Sequence, residues 1–189
     1  MTQRAVRADA RRNRARLLQV AAEAFATDGL GVPLDEIARR AGLGPGTLYR
    51  HFPTKQALFE AVVHDRLQNL VDAARTLRHA DDAGAALFAF ADRLVAEAGP
   101  KKDLVDALVG TGVDVHARLA TTTTDLRDEL DHLLTRAQRQ HTVRNDVTVA
   151  DLLALISGLL LALHTTRNRH AANPQRLLAV LRDGLRAPR

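Results

Sequence analysis

Among its 189 residues the chain has no cysteine, no tryptophan, one tyrosine, one methionine and one serine. The missing thiols exclude disulfides, thiolate metal sites and cysteine nucleophiles together. The lone Ser157 stands in an apolar stretch without a Gly-x-Ser-x-Gly elbow, so no serine-hydrolase pattern is present. Histidines 51, 64, 79, 116, 132, 141, 164 and 170 are scattered, and no pair makes the His-Glu-x-x-His zinc helix. Lone helical histidines commonly serve as surface or capping residues, and paired acids such as Asp81-Asp82 and Asp128-Glu129 read as solvated charge. No catalytic residue, metal ligand or cofactor is therefore assigned.

Long hydrophobic runs are missing too. Leu152 to Leu163, about 12 residues, is the longest, where a membrane span needs about 20. The N-terminal stretch MTQRAVRADARRNRARLL has no apolar segment of the secretory kind. A soluble, cytoplasmic protein is the expectation. Aromatic residues make up only 3% of a chain that is 46% hydrophobic, and the remainder is mainly alanine, leucine and valine. Alanine and leucine favour helix, so an all-α fold follows.

Charge is present but unevenly placed. Residues 1–55 carry ten Lys and Arg against five Asp and Glu, and residues 56–189 carry seventeen of each. All of the net +5 therefore sits in the first third. A polyanion-binding head on a neutral body explains this, and a solvated basic face is the plainer alternative.

Nine helices can be placed from apolar spacing and boundary residues. Leu17, Leu18, Ala21, Ala24 and Phe25 mark the first, Asp9 to Thr27, which stops at Asp28-Gly29. The second, Leu34 to Ala41, opens after Pro33 with Asp35 and Glu36 in its first turn, where the helix dipole favours anions. Gly42-Leu43-Gly44 breaks the chain, and Pro45 starts a third helix that ends near His51, before Pro53. Thr54 caps a long fourth helix, Lys55 to Arg78. Others are expected at 83–97, 101–109, 125–141 after the threonine run 121–124, 149–165 behind Thr148, and 174–185 behind Asn173-Pro174.

The stretch GLGPGTLYRHFPTK, Gly42 to Lys55, carries the functional signal. Its glycines invite comparison with a phosphate-binding loop. However, a dinucleotide fingerprint needs a preceding strand, and a P-loop needs Gly-Lys-Ser/Thr. A helix precedes this stretch, and no lysine follows its glycines. Two short helices joined by a glycine turn instead match a helix-turn-helix, whose second helix enters the DNA major groove. The tip Gly44-Pro45-Gly46 is small enough to come close to DNA, and its backbone N–H groups suit a phosphate oxygen. Thr47, Tyr49, Arg50 and His51 supply polar groups along the same helix, and Lys55 is placed for a neighbouring phosphate. Leu43 and Leu48, with Ile37 and Ala38, are expected to lock the two helices together. A protein-binding helix pair is the alternative reading.

Leu17 to Val63 resembles the DNA-binding head of tetracycline-repressor-type (TetR) transcriptional regulators. The alanine-glycine turn, the Thr-Leu-Tyr-x-His-Phe segment and the lysine opening the fourth helix occur together at family spacing. The resemblance implies a homodimeric all-α regulator, with a DNA-binding head (residues 1–58) and a ligand-binding and dimerisation body (59–189). It places Thr47, Tyr49, His51 and Lys55 at DNA-contact positions and Gly44, Pro45 and Gly46 near base edges. Tyr49, His51 and Lys55 then hold the backbone, leaving most base reading to Thr47 and Arg50. Pro33-Leu34-Asp35 depart from the threonine or serine that often holds a phosphate there. Arg14, with Arg11, Arg12 and Arg16, is the expected compensation from the first helix.

In the body, the helix at 149–165 is apolar almost all round and must be covered on more than one side. Its small residues Ala154, Gly158 and Ala162, with Leu152, Ile156 and Leu159, are expected to pair with Leu177, Leu178, Leu181 and Leu185. The two helices and their copies would form a four-helix bundle across a two-fold axis. An intrachain core is the alternative. An apolar effector pocket is expected from Leu67, Leu70, Phe88, Phe90, Leu104, Leu108 and Leu126, each of which also suits plain core packing. The expected mechanism is repression of a palindromic operator. An effector tilts the fourth helix, changes the spacing of the two recognition helices and so releases the DNA. A helical enzyme or protein-interaction module is the remaining alternative.

Overall fold

A computed structural model describes residues 3–98, 115–165 and 173–187. These form eight α-helices and no strand: α1 (Gln3–Asp28), α2 (Leu34–Arg40), α3 (Pro45–His51), α4 (Lys55–Leu77), α5 (Ala83–Ala98), α6 (Val115–Arg139), α7 (Val149–Thr165) and α8 (Pro174–Leu185). The fold is all-α, as composition indicates. The helix expected at 101–109 lies outside the described residues.

Helix starts follow the capping chemistry in the sequence. Thr54 Oγ1 accepts from Ala57 N at 3.0 Å, and Asn173 Oδ1 accepts from Gln175 N at 2.9 Å. Thr148 and Asp151 close a reciprocal box: Thr148 N donates to the Asp151 carboxylate at 2.9 Å, and Asp151 N donates to Thr148 Oγ1 at 3.3 Å. Two starts differ from expectation. α1 begins at Gln3 rather than Asp9, and α6 at Val115 rather than Asp125. In α6 the threonine run continues the helix instead of capping it. Thr123 Oγ1 donates back to the Leu119 carbonyl at 2.5 Å, so its hydroxyl is satisfied inside the helix.

The chain divides into two compact units, Met1–Arg66 with Asp103–Ala117, and Leu67–Lys102 with Arg118–Arg189. In the first unit the apolar stripe of α1 (Leu17, Leu18, Ala21, Ala24, Phe25) is buried, together with Leu58, Phe59 and Val62 of α4. The Phe25 and Phe59 rings meet at 5.7 Å between centroids, tilted by 59°. Each such leucine or phenylalanine stabilises the unit by about 1.5–3 kcal/mol.

The second unit packs Leu87 and Phe90 of α5 with Leu130, Leu133 and Leu134 of α6, Leu152 and Ile156 of α7, and Leu178 and Leu185 of α8. One face of α6 also fastens the end of α4. Buried Glu129 accepts from Arg75 Nε at 3.1 Å and Arg78 Nε at 2.5 Å. One helical stripe further on, Arg136 donates to the carbonyls of Arg78 and Ala80. Gln140, just past α6, bonds Ala83 N at 2.8 Å and the Asp81 carbonyl at 2.9 Å. None of the described helices is long and apolar enough to cross a membrane.

Candidate nucleic-acid interface

The glycine turn between α2 and α3 is a complete C-terminal capping motif. Gly42 takes φ +65°, the left-handed conformation that glycine adopts without strain. Gly42 N donates to the Arg39 carbonyl and Leu43 N to the Ala38 carbonyl, each at 3.0 Å. The Arg16 guanidinium of α1 packs on Gly42, 3.3 Å from where a Cβ would stand. Gly44, extended, precedes Pro45 at the start of α3. Leu48 is fully buried with Ile37 and Ala38, so α3 is fixed on α2 by its inner side.

The outer side of α3 carries the expected DNA-reading groups. Gly44, Pro45, Gly46, Tyr49 and Arg50 are exposed, while Thr47, His51 and Lys55 are half-buried. A Cβ on Gly44 or Gly46 would meet nothing within 4 Å. Arg50 folds back along its own helix, donating from Nε to the Gly46 carbonyl at 3.1 Å and from Nη2 to Thr47 Oγ1 at 3.3 Å. Arg14 lies over the Phe52 ring, 5.5 Å from its centroid, so α1 contributes a cation at the C-terminal end of α3. Lys55 Nζ donates to the carbonyls of Leu30 at 2.9 Å and Gly31 at 3.4 Å, two of an ammonium's three hydrogens.

Acidic groups shape the same surface. Glu36 takes Arg39 and Arg40 through bonds of 2.7 and 2.8 Å. These bonds, that to Arg39 first, hold its carboxyl down at about 2. Arg40 also reaches Asp28 at 2.5 Å, so the charges of α2 largely cancel on the head itself. The Tyr49 phenol faces Asp35. That charge, then burial, then a hydrogen bond between the two, raise its pKa. Spacing alone did not bring Asp35 to α3, although its presence where threonine or serine often stands was a visible signal.

Comparison with known proteins agrees with this geometry. Residues 17–62 match the family described as bacterial regulatory proteins, tetR family. Residues 82–187 match the C-terminal domain of SbtR-like transcriptional regulators. The chain belongs to the TetR family of transcriptional regulators. A TetR regulatory protein from Mycobacterium vanbaalenii is similar at 48% identity and TM-score 0.80, over 96% of this chain and 99% of that one. The TetR regulator SCO0520 from Streptomyces coelicolor is similar at 32% identity and TM-score 0.79, over 93% and 99%. An HTH-type transcriptional regulator from Staphylococcus aureus is 39% identical over 59 residues, 31% of this chain and only 32% of its own length. The protein is a DNA-binding transcriptional regulator, and its fold is that of regulators rather than of enzymes.

The other residues expected to form sites in this TetR-family regulator divide by burial. Ala154 and Gly158 lie on an exposed stripe of α7 that also shows Leu155 and Leu161, each 48% exposed. Ala162, Leu159, Leu177 and Leu181 are half-buried. Leu152, Ile156, Leu178 and Leu185 face the chain's own core instead. All-round apolarity shows that a helix is covered on two sides without showing which residues face which cover. Leu155, Leu161 and Val180 were missed for that reason. Of the expected pocket residues, Leu70 and Phe90 are buried in the core, and Leu126 packs against it. Leu67 is half-buried, and Leu104 and Leu108 lie outside the described residues. Phe88 alone of the seven lines a cleft of about 410 Å3, together with Asp82, Gly84, His141, Thr142 and Arg186.

Proposed function

We propose that this regulator is a cytoplasmic repressor, without enzymatic activity, that binds a palindromic operator as a homodimer and is released by a small-molecule effector. The single observation that carries the reading is the exposed face of α3, fixed from behind by Leu48 and flanked by the arginines of α1. Thr47 and Arg50 address base edges, and the small tip Gly44-Pro45-Gly46 lets α3 approach them closely. Arg14, His51 and Lys55 hold the backbone, with Tyr49 at the edge of the contact.

The exposed small-residue and leucine face of α7, with Val180 of α8, supports a two-fold contact with a second copy. Two recognition helices then meet successive major grooves about 34 Å apart. The effector site belongs to the second unit. An effector acts by binding the released state more tightly than the DNA-bound one, because equal affinity shifts nothing.

The test is a gel shift, across a salt series, on DNA flanking the protein's own gene. A specific, salt-dependent complex supports the reading. Absence of a specific shift at every salt concentration favours a helical protein-interaction module instead.

A further inference from the structure

Asp35 and Glu36 are neighbours in the first turn of α2 but differ in what they meet. Glu36 is held between two guanidiniums. Asp35 is exposed and has no ion-pair partner among the described residues. Its polar neighbour is the phenol of Tyr49, the chain's single tyrosine, which stands 45% exposed on α3. The two side chains attract through charge and a hydrogen bond, in which the phenol donates and the carboxylate accepts.

A phenol has one hydrogen to give. Once that hydrogen points at Asp35, the outward side of the hydroxyl presents only lone pairs, and an ionised carboxylate has only lone pairs as well. Phosphate oxygens are also acceptors and carry negative charge. This corner therefore offers a phosphate no hydrogen and opposes it with like charge. An exocyclic amino group, cytosine N4 or adenine N6, brings N–H donors without charge, and carboxylates accept from cytosine N4 in the major groove. Guanine and thymine show oxygen acceptors there, O6 and O4, which would set lone pair against lone pair.

We propose that Asp35 and Tyr49 form an acceptor pair that determines specificity by selecting an amino-bearing base, cytosine or adenine, at one position of each operator half-site. This inference rests on the DNA-binding reading above and turns Tyr49 from a backbone contact into a base reader, with Asp35 positioning its hydroxyl. The raised pKa of the phenol agrees, since it keeps the hydrogen in place for Asp35.

The test is enrichment of duplexes from a random-sequence library by the full chain, for wild type, Asp35→Ala, Tyr49→Phe and the double variant, with circular dichroism as the folding control. Wild type is expected to prefer cytosine or adenine by roughly tenfold at one position per half-site, the size of one good base contact. Each single variant loses that preference and keeps the others, and the double variant loses no more than either. Should Asp35→Ala misfold, Asp35→Asn keeps the shape while adding N–H donors, and is expected to admit guanine or thymine at that position. Unchanged preferences in the folded Asp35 variant overturn the inference. So does a Tyr49→Phe protein that binds every sequence more weakly with preferences intact, which is the signature of a phosphate contact. If wild type enriches no sequence at all, the operator-binding reading fails first and the inference falls with it.

Discussion

The Lys55 ammonium lies 2.9 Å from the carbonyl oxygen of Leu30, which ties the first turn of α4 to the turn between α1 and α2. Leu30 follows Gly29, whose φ of +74° ends α1, so this carbonyl belongs to a turn and not to a helix ladder. With a second bond to Gly31 at 3.4 Å, Lys55 retains one N–H for a phosphate. Its substitution is therefore expected to act twice. Lys55→Ala weakens binding to all DNA sequences alike and lowers the salt slope by about one phosphate contact. It also lowers stability by about 1 kcal/mol through the lost carbonyl bonds. Titrations at several salt concentrations, with thermal melts alongside, separate the two effects. An unchanged slope with a lowered melting temperature would leave Lys55 a purely structural residue.

Gly46 and Gly84 are both helical glycines, and the space around them predicts opposite outcomes for alanine. At Gly46 a Cβ meets nothing within 4 Å of the protein. Gly46→Ala is expected to fold at least as stably as wild type, gaining up to about 1 kcal/mol from helix propensity. If the tip of α3 comes close to base edges, the same methyl group obstructs DNA. A higher melting temperature with weaker operator binding is the expected pair of results. Undiminished binding would mean the tip stands away from the groove.

At Gly84 the added Cβ would lie 2.7 Å from Thr142 Oγ1 and 2.8 Å from Thr142 Cβ. The hydroxyl is not free to move aside, because it donates to the Ala137 carbonyl at 2.8 Å. Overpacking of this kind costs about 1–3 kcal/mol and outweighs the propensity gain. Urea unfolding of Gly84→Ala is expected to show a lowered midpoint with an unchanged slope. A stability equal to wild type would show that the turn after α6 yields easily.

The contrast between these glycines shows what the sequence can and cannot reveal. Gly42 was legible, because a glycine after a short amphipathic helix and before Pro45 has one plausible conformation. Gly84 was not, since its constraint comes from Thr142, 58 residues away in the chain and beyond any local pattern. The helix boundaries at Thr54, Thr148 and Asn173 were readable for the same local reason, each cap bonding within three residues. The start of α6 was misplaced because threonine serves both as a cap and, by bonding back to a carbonyl, as a helix-interior residue. Burial of the α1 stripe followed from period alone. In α7 nearly every residue is apolar, the pattern has no contrast, and only packing separates Leu152 from Leu155.

Glu36 provides a test by pH. Bonds to Arg39 and Arg40 hold its carboxyl at about 2, below the ordinary 4.5. For a depressed acid the stabilisation is present in full above the unfolded value and is lost as pH falls through the folded one. The contribution is thus intact above about 4.5 and declines from there down to about 2. A carboxyl chemical-shift titration is expected to place Glu36 well below the other glutamates. Arg39→Gln should raise its midpoint, since that bond contributes most. A midpoint near 4.5 in the wild type would mean the arginines are not held on α2 and remain available to DNA.

The exposed stripe of α7 makes the proposed dimer open to a single substitution. Leu155 is 48% exposed and lies beside the exposed Ala154, one turn before Gly158. Val180 of α8 is 64% exposed. Leu155→Glu leaves the intrachain core of Leu152 and Ile156 untouched, yet places a charge where a second copy would need to bury it, and an unpaired buried charge is strongly destabilising. Wild type is expected to sediment at twice the 20.6 kDa chain mass and Leu155→Glu at that mass alone, with the helical circular-dichroism signal retained. Operator affinity should fall in parallel, because two recognition helices held on one body bind as a linked pair and separate ones do not. A Leu155→Glu protein that remains dimeric would move the two-fold contact off this stripe.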